Sequence, residues 1–146
     1  MAITSAICNS FKQEILEAEH NFTASTGNTF NLALYTSSAT LGASTTAYTS
    51  SNEITNTSGT AYSAKGKALT SVTPTLDSST AVCDFADVSW TSASFTARGC
   101  LIFNDSHSTD AAVCAIAFGG DKTVSSGTFT IQFPAAAAST AIIRIA

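Results

Sequence analysis

Charge is the scarcest commodity in this chain. Six Lys/Arg and ten Asp/Glu are spread over 146 residues, for a formal net charge of −4. The six cations (Lys12, Lys65, Lys67, Arg98, Lys122, Arg144) form no cluster, so the electrostatic footprint of a nucleic-acid binder is missing. Proline is almost absent, with only Pro74 and Pro134 to break strands. Two histidines leave little material for acid–base or metal chemistry, and there is no C-x-x-C, H-E-x-x-H, P-loop or EF-hand spacing. No apolar run approaches a bilayer span, so no membrane partner is expected. Met1–Cys8 lacks a basic flank and is too short and polar for a signal core, which makes cytoplasmic synthesis the expectation.

What is plentiful is hydroxyl and apolar surface. Ser and Thr supply 44 of the 146 residues, yet 45% of the chain is hydrophobic and nine residues are Phe. That balance excludes a disordered polar tract and suits a β domain with hydroxyl-rich outer faces and Ser-rich turns. At this length a single domain, 1–146, can build its own core without disulfide or metal. Cys8, Cys83, Cys100 and Cys114 are far apart, and three of them sit in strand-like runs; they read as reduced core residues.

The segment Phe95–Phe133 reads as a three-stranded meander. Phe95, Ala97, Leu101 and Phe103 share one side of the first run, Val113–Phe118 is apolar throughout, and Phe129, Ile131 and Phe133 alternate with Thr128, Thr130 and Gln132. Asn104-Asp105-Ser106 and Gly119-Gly120-Asp121 are the expected turns. Earlier in the chain, 1–22 is an N-terminal helical segment. Its helix is expected to begin at a Ser10/Gln13 capping box and end near Asn21, with Ile7, Phe11, Ile15 and Phe22, joined by Leu16, on one apolar face. Phe30–Tyr35 is the first strand. Thr36–Ala64 is a long Ser/Thr-rich loop with scattered anchors (Leu41, Tyr48, Ile54, Tyr62), the length of a contact arm. A strand from Ala68 to Val72 stops at Pro74 and Leu76–Thr80 turns. Ala81–Phe85 is a strand that continues through Val88–Thr91 after a kink at Ala86-Asp87, and Ala141–Ile145 is the last strand. About seven or eight strands with turns about 8–12 residues apart predict an all-β antiparallel sandwich or small barrel with one N-terminal helix.

No catalytic constellation emerges, so no enzyme activity and no cofactor are expected. His20 is expected at the helix end, against the last carbonyls. His107 with Asp105 and Asp110 has the types of a cation site, but one polar turn is an ordinary place for them, and no metal is expected. Asp84 and Asp87 read as solvent-face residues rather than paired acids. Arg98, inside an apolar run, requires an acid such as Asp84 or Asp87, or a subunit boundary. Asn21-Phe22-Thr23, Asn56-Thr57-Ser58 and Asn104-Asp105-Ser106 match glycosylation acceptors by chance in so hydroxyl-rich a chain.

The runs NSFKQEIL (Asn9–Leu16), NLALYTSSATL (Asn31–Leu41), FADVSWTSASFTARG (Phe85–Gly99) and FGGDKTV (Phe118–Val124) resemble those of small virion structural proteins of tailed bacteriophages, including cyanophages and phages of marine bacteria. The resemblance covers most of the chain. It implies a head decoration (cement) protein: a homotrimer on the capsid surface of the virion, bound to the major capsid protein and assembled in the host cytoplasm. On that reading the N-terminal segment and the 36–64 loop grip the capsid. The partner-contact candidates are Ile7, Phe11, Ile15, Tyr48, Ile54, Tyr62 and Arg98. The alternative is a carbohydrate- or receptor-binding module of a tail fibre or baseplate, with Tyr35, Tyr48, Tyr62 and Trp90 stacking on sugar rings.

Overall fold

The fold is an all-β sandwich with one helix. A computed structural model describes residues 1–55 and 61–146; Asn56–Thr60, and with them the Asn56-Thr57-Ser58 match, lie outside the described residues. In chain order the elements are β1 (Ala6–Ile7), α1 (Asn9–Leu16), β2 (Phe30–Tyr35), β3 (Lys67–Ala68), β4 (Ser71–Asp77), β5 (Thr80–Phe85), β6 (Val88–Asn104), β7 (Ala111–Ile131) and β8 (Ile143–Ile145). They form two antiparallel sheets, a five-stranded one in the order β1-β7-β6-β2-β3 and a three-stranded one in the order β4-β5-β8. Phe22 stacks on Phe30 of β2 with ring centroids 4.2 Å apart. Phe85 of β5 reaches both rings, at 6.2 and 5.9 Å, and so joins the small sheet to the large one.

The expected meander is in fact one long hairpin. β6 has 17 residues and β7 has 21, and they pair from Val88↔Ile131 at the open end to Asn104↔Ala111 at the turn. At ~3.3 Å per residue β6 alone spans about 55 Å. Gly119-Gly120-Asp121 does not reverse the chain. Between the pairs Ala97↔Lys122 and Gly99↔Ala117, β7 carries five steps against two on β6, so the surplus is absorbed as a bulge. Gly119 sits there with φ +76°, where a side chain would be strained. The same two-glycine signal marks a turn or a bulge, and partner pairing on both sides decides for the bulge.

Other strand boundaries also differ from the sequence reading. β4 runs through Pro74 instead of stopping there, because β4 is an edge strand and a register shift between Val72 and Thr75 accommodates the missing donor. The turn that follows is tighter than Leu76–Thr80, with Asp77 already paired to Thr80. At Ala86-Asp87 the chain leaves the small sheet and enters the large one. Val88–Thr91 therefore belongs to β6 and not to a continuation of β5.

Helix α1 is shorter than expected, and the capping box does not form. Cys8 occupies the N-cap without a side-chain capping bond, Asn9 N–H is taken by Ala43 O at 2.8 Å, and the buried Ser10 Oγ has no hydrogen-bond partner among the described residues. The helix stops at Leu16, which is exposed. Glu19 N–H returns to Glu14 O (3.0 Å) and Ala18 N–H to Ile15 O (3.4 Å), closing the end with Ala18 at φ 61°. Alanine in this left-handed position is strained by about 1 kcal/mol relative to glycine. Ala18→Gly is expected to raise the unfolding free energy by a comparable amount, read as a higher denaturation midpoint at unchanged m-value.

Candidate functional site

The loop after β2 is organised from inside. Glu53 is the single charged residue of Thr36–Ala64, and it is buried at 6% exposure. Its two carboxyl oxygens accept from two tyrosines: Tyr62 Oη–H at 2.7 Å and Tyr48 Oη–H at 2.5 Å. The Tyr62 hydroxyl in turn accepts from Leu34 N–H of β2 at 2.9 Å, and the Tyr35 hydroxyl donates to Thr49 O at 2.7 Å. Isolated bridges Tyr35↔Glu53 and Ala47↔Ala111 sew the same loop to β2 and to the start of β7. Desolvation, with Glu53 adding to it, raises the Tyr48 hydroxyl to about 12 and pushes Tyr35 and Tyr62 further up, so all three stay protonated donors.

This settles where the sequence candidates lie. Tyr62 (0%), Ile54 (6%) and Phe11 (4%) are inside the chain's own core. Ile7, Ile15 and Tyr48 are half-buried against it, with Ile7 held in the sheet opposite Cys114. The described part of the 36–64 loop is thus packed onto the body and is not a free arm. Tyr35 and Trp90 are also buried, at 0% and 2%, so the aromatic rings that would stack on sugars are turned inward. Arg98 is half-exposed and its Nε donates to Asp121 Oδ1 at 2.7 Å, across the hairpin. The expected partners are occupied elsewhere: Asp84 accepts from Phe85 N–H at 2.8 Å and Asp87 from Phe133 N–H at 2.9 Å. An exposed pair of this kind is worth ~0–1 kcal/mol.

The histidines also differ from expectation. Asp105 and Asp110 flank the Lys65 ammonium at 2.9 and 2.8 Å, so a lysine fills the place where a cation was considered. Those bonds, Asp110 first, hold Lys65 well above its ordinary range. His107 instead turns its Nε2 towards Glu19 Oε2 at 3.5 Å. His20 meets no helix carbonyl, since α1 has already ended; its buried ring lies 2.8 Å from Glu14 Oε2 and 3.2 Å from Asn104 Nδ2. Among the described residues no group of three or more His, Cys, Asp or Glu is disposed to hold a metal.

Among the described residues, two apolar recesses open on the surface are of note. One, of 490 Å³, runs beside the outer half of the hairpin and is lined by Cys100, Ile116, Phe118, Phe129, Phe133 and Ile142. The other, of 430 Å³, lies between α1 and the small sheet and includes Ile15, Phe22, Pro74, Val82, Ile143 and Ile145. The sequence pattern flagged Phe129 and Phe133 as inward, but it carried no sign that the face they share stays uncovered. Glu53 was missed as well, although a lone acid in a long uncharged loop between tyrosines was a readable signal.

The thiols are buried and unpaired. Burial lifts Cys8 to about 11, with Glu14 adding to it, and Cys83 and Cys100 to about 12; Cys114 is lifted as well. No family model, curated protein or solved structure is significantly similar to this chain.

Two measurements follow. Tyr62→Phe removes a hydroxyl that serves Leu34 N–H and Glu53 at once, and is expected to cost about 2–3 kcal/mol by denaturant titration, with Tyr48→Phe costing less because that ring is half-buried. Folded protein at pH 8 is expected to react with a thiol reagent at least about 100-fold more slowly than the unfolded chain, which should show four fast thiols. Because the folded thiols hold their protons beyond the ordinary value near 9, unfolding in alkali releases protons. The stability they contribute is complete below pH 9 and declines as pH rises towards 12.

Proposed function

We propose that this chain is a non-enzymatic structural subunit of a tailed-phage particle, a decoration (cement) protein bound to the major capsid protein on the head and acting as a homotrimer. The observation that carries the reading is the outer half of the β6–β7 hairpin. Its outward face is hydroxyl-covered, with the Ser89–Thr130 and Thr96–Thr123 hydroxyls bonded across the strands at 2.8 Å. Beside it lies the open recess with half-buried Phe118 and Phe129. A chain that can bury most of its aromatics but leaves this face open is suited to finish its packing against a neighbouring subunit. A closed three-fold ring is the natural assembly for a subunit seated on a symmetric lattice point. With few charges to screen, attachment would depend little on salt. The resemblance to small virion proteins points the same way.

The receptor-binding alternative loses its main support, because Tyr35, Tyr62 and Trp90 are not available to a glycan. The deciding experiment compares particles made with and without the protein. Heads lacking it are expected to assemble but to release DNA at a lower temperature, with density for the missing subunit absent from head surfaces in electron cryomicroscopy. Heads of unchanged stability together with lost adsorption to the host would overturn the reading. Phe129→Glu is expected to shift the purified protein from trimer to monomer in sedimentation while leaving its circular dichroism unchanged.

A further inference from the structure

Three segments meet at Asn104, the fully buried last residue of β6. Two backbone groups fix which way its carboxamide points. Ser106 N–H donates to Asn104 Oδ1 at 3.0 Å, and Asn104 Nδ2 faces Glu19 O at 3.3 Å. A backbone amide cannot accept and a carbonyl cannot donate, so the NH2 group must be the atom that meets His20 Nδ1 at 3.2 Å. Asn28 Oδ1, at 3.2 Å, is a further acceptor for it. The NH2 group shares its two hydrogens among these three neighbours, and a hydrogen on Nδ1 would point at a donor nitrogen, so His20 Nδ1 carries no proton. The ring's hydrogen is on Nε2, donating to Glu14 Oε2 at 2.8 Å.

We propose that His20 is an acid-released latch that holds the exit of α1 and the Asn21–Asn28 segment against the turn between β6 and β7. Protonating the ring puts a second N–H on Nδ1, pointing at the NH2 of Asn104. The amide does not turn over to offer its oxygen, because that would break its bonds with Ser106 N–H, Glu19 O and Asn28 Oδ1 together. The contact between the two side chains opens instead.

The surrounding charges do not cancel this. Glu14 bonds to Nε2–H in both protonation states, and although its charge favours the cation, it does nothing for the donor clash on the other side of the ring. His107, stacked on His20 at a centroid distance of 6.2 Å, is a like charge whenever it is protonated, with Glu19 beside it. Asp105 and Asp110 are engaged by Lys65. On α1, Lys12 and Glu17 bond to Asn9 and Gln13. Cys83 of the small sheet lines, together with His20, the recess between α1 and that sheet and, held up near 12, is neutral. The neutral imidazole is the form that fits, so the latch is closed while the ring is neutral and loosens when the ring is protonated.

Hydrogen exchange of the intact protein tests this, with rates at pH 7.5 and pH 5.0 corrected for the intrinsic pH dependence. Amides of 9–28 are expected to exchange roughly tenfold faster at pH 5.0, the loss of about one buried hydrogen bond, while those of β2 and β6 stay unchanged. Long-range nitrogen–proton correlation spectra should show His20 Nδ1 unprotonated at pH 7.5. Asn104→Asp supplies an acceptor to the protonated ring and should abolish or reverse the acid effect. If that variant does not fold, His20→Gln should make exchange of 9–28 independent of pH, and His107→Gln should leave the acid effect in place. A protonated Nδ1 at pH 7.5, equal exchange at the two pH values, or an acid effect that survives in His20→Gln would overturn the proposal.

Discussion

Everything in this molecule leans on the pairing of β6 with β7. That ladder is the spine of the five-stranded sheet: β2 docks on one side of it through six consecutive pairs, Phe30↔Asn104 to Tyr35↔Gly99, and β1 docks on the other at Cys114 and Ala115. The inner half of the hairpin is buried on both faces, which is why its residues read as unbroken apolar runs rather than alternating ones. The remaining pieces cover that slab. Phe11, His20 and Phe22 close one end, the tyrosine–Glu53 network covers β2, and Phe85 brings the small sheet onto the same cluster.

How much of this was legible depended on whether the deciding interaction was local. The apolar alternation of Phe95–Phe103 and Phe129–Phe133, the strand Phe30–Tyr35 and the turn after Asn104 are visible because each depends on residues a few positions apart. The architecture followed: an all-β sandwich with one helix. Gly119-Gly120 was ambiguous because a turn and a bulge ask the same thing of the backbone, and only the matching of Thr96–Ala97 with Lys122–Thr123 chooses between them. Pro74 misled for a related reason, since its cost depends on whether β4 is central or at an edge. Ser10 has a good capping sequence, yet the helix begins one residue earlier, at Asn9, whose amide is taken by Ala43 over thirty residues away.

The candidate contact residues show the same limit more sharply. Apolar and aromatic residues in a polar loop have one signature whether they anchor a partner or anchor the loop itself. Tyr62 and Ile54 anchor the loop, and the reason is a residue whose type suggests exposure: Glu53 is kept inside by two tyrosine hydroxyls. A buried carboxyl satisfied in this way ties loop, β2 and the start of β7 into one unit, and it sets the loop's path more firmly than hydrophobic contact alone would. Asn104 plays a comparable part at the other end of β2, where donor and acceptor directions rather than size determine what can sit beside it.

The hairpin has a mechanical consequence. Its chain connections, Val88 and Ile131, leave from the same end. A load entering through the backbone there peels β6 from β7 one pair at a time, meeting the outer rungs, open to solvent on one face, first and the bulge at Gly119 before the inner rungs buried on both. A load between the turn and that open end runs along the strands and is shared by the rungs in parallel. The same ladder is therefore weak as a zipper and strong as a tie-rod, and which it becomes is decided by where on the hairpin a neighbour takes hold.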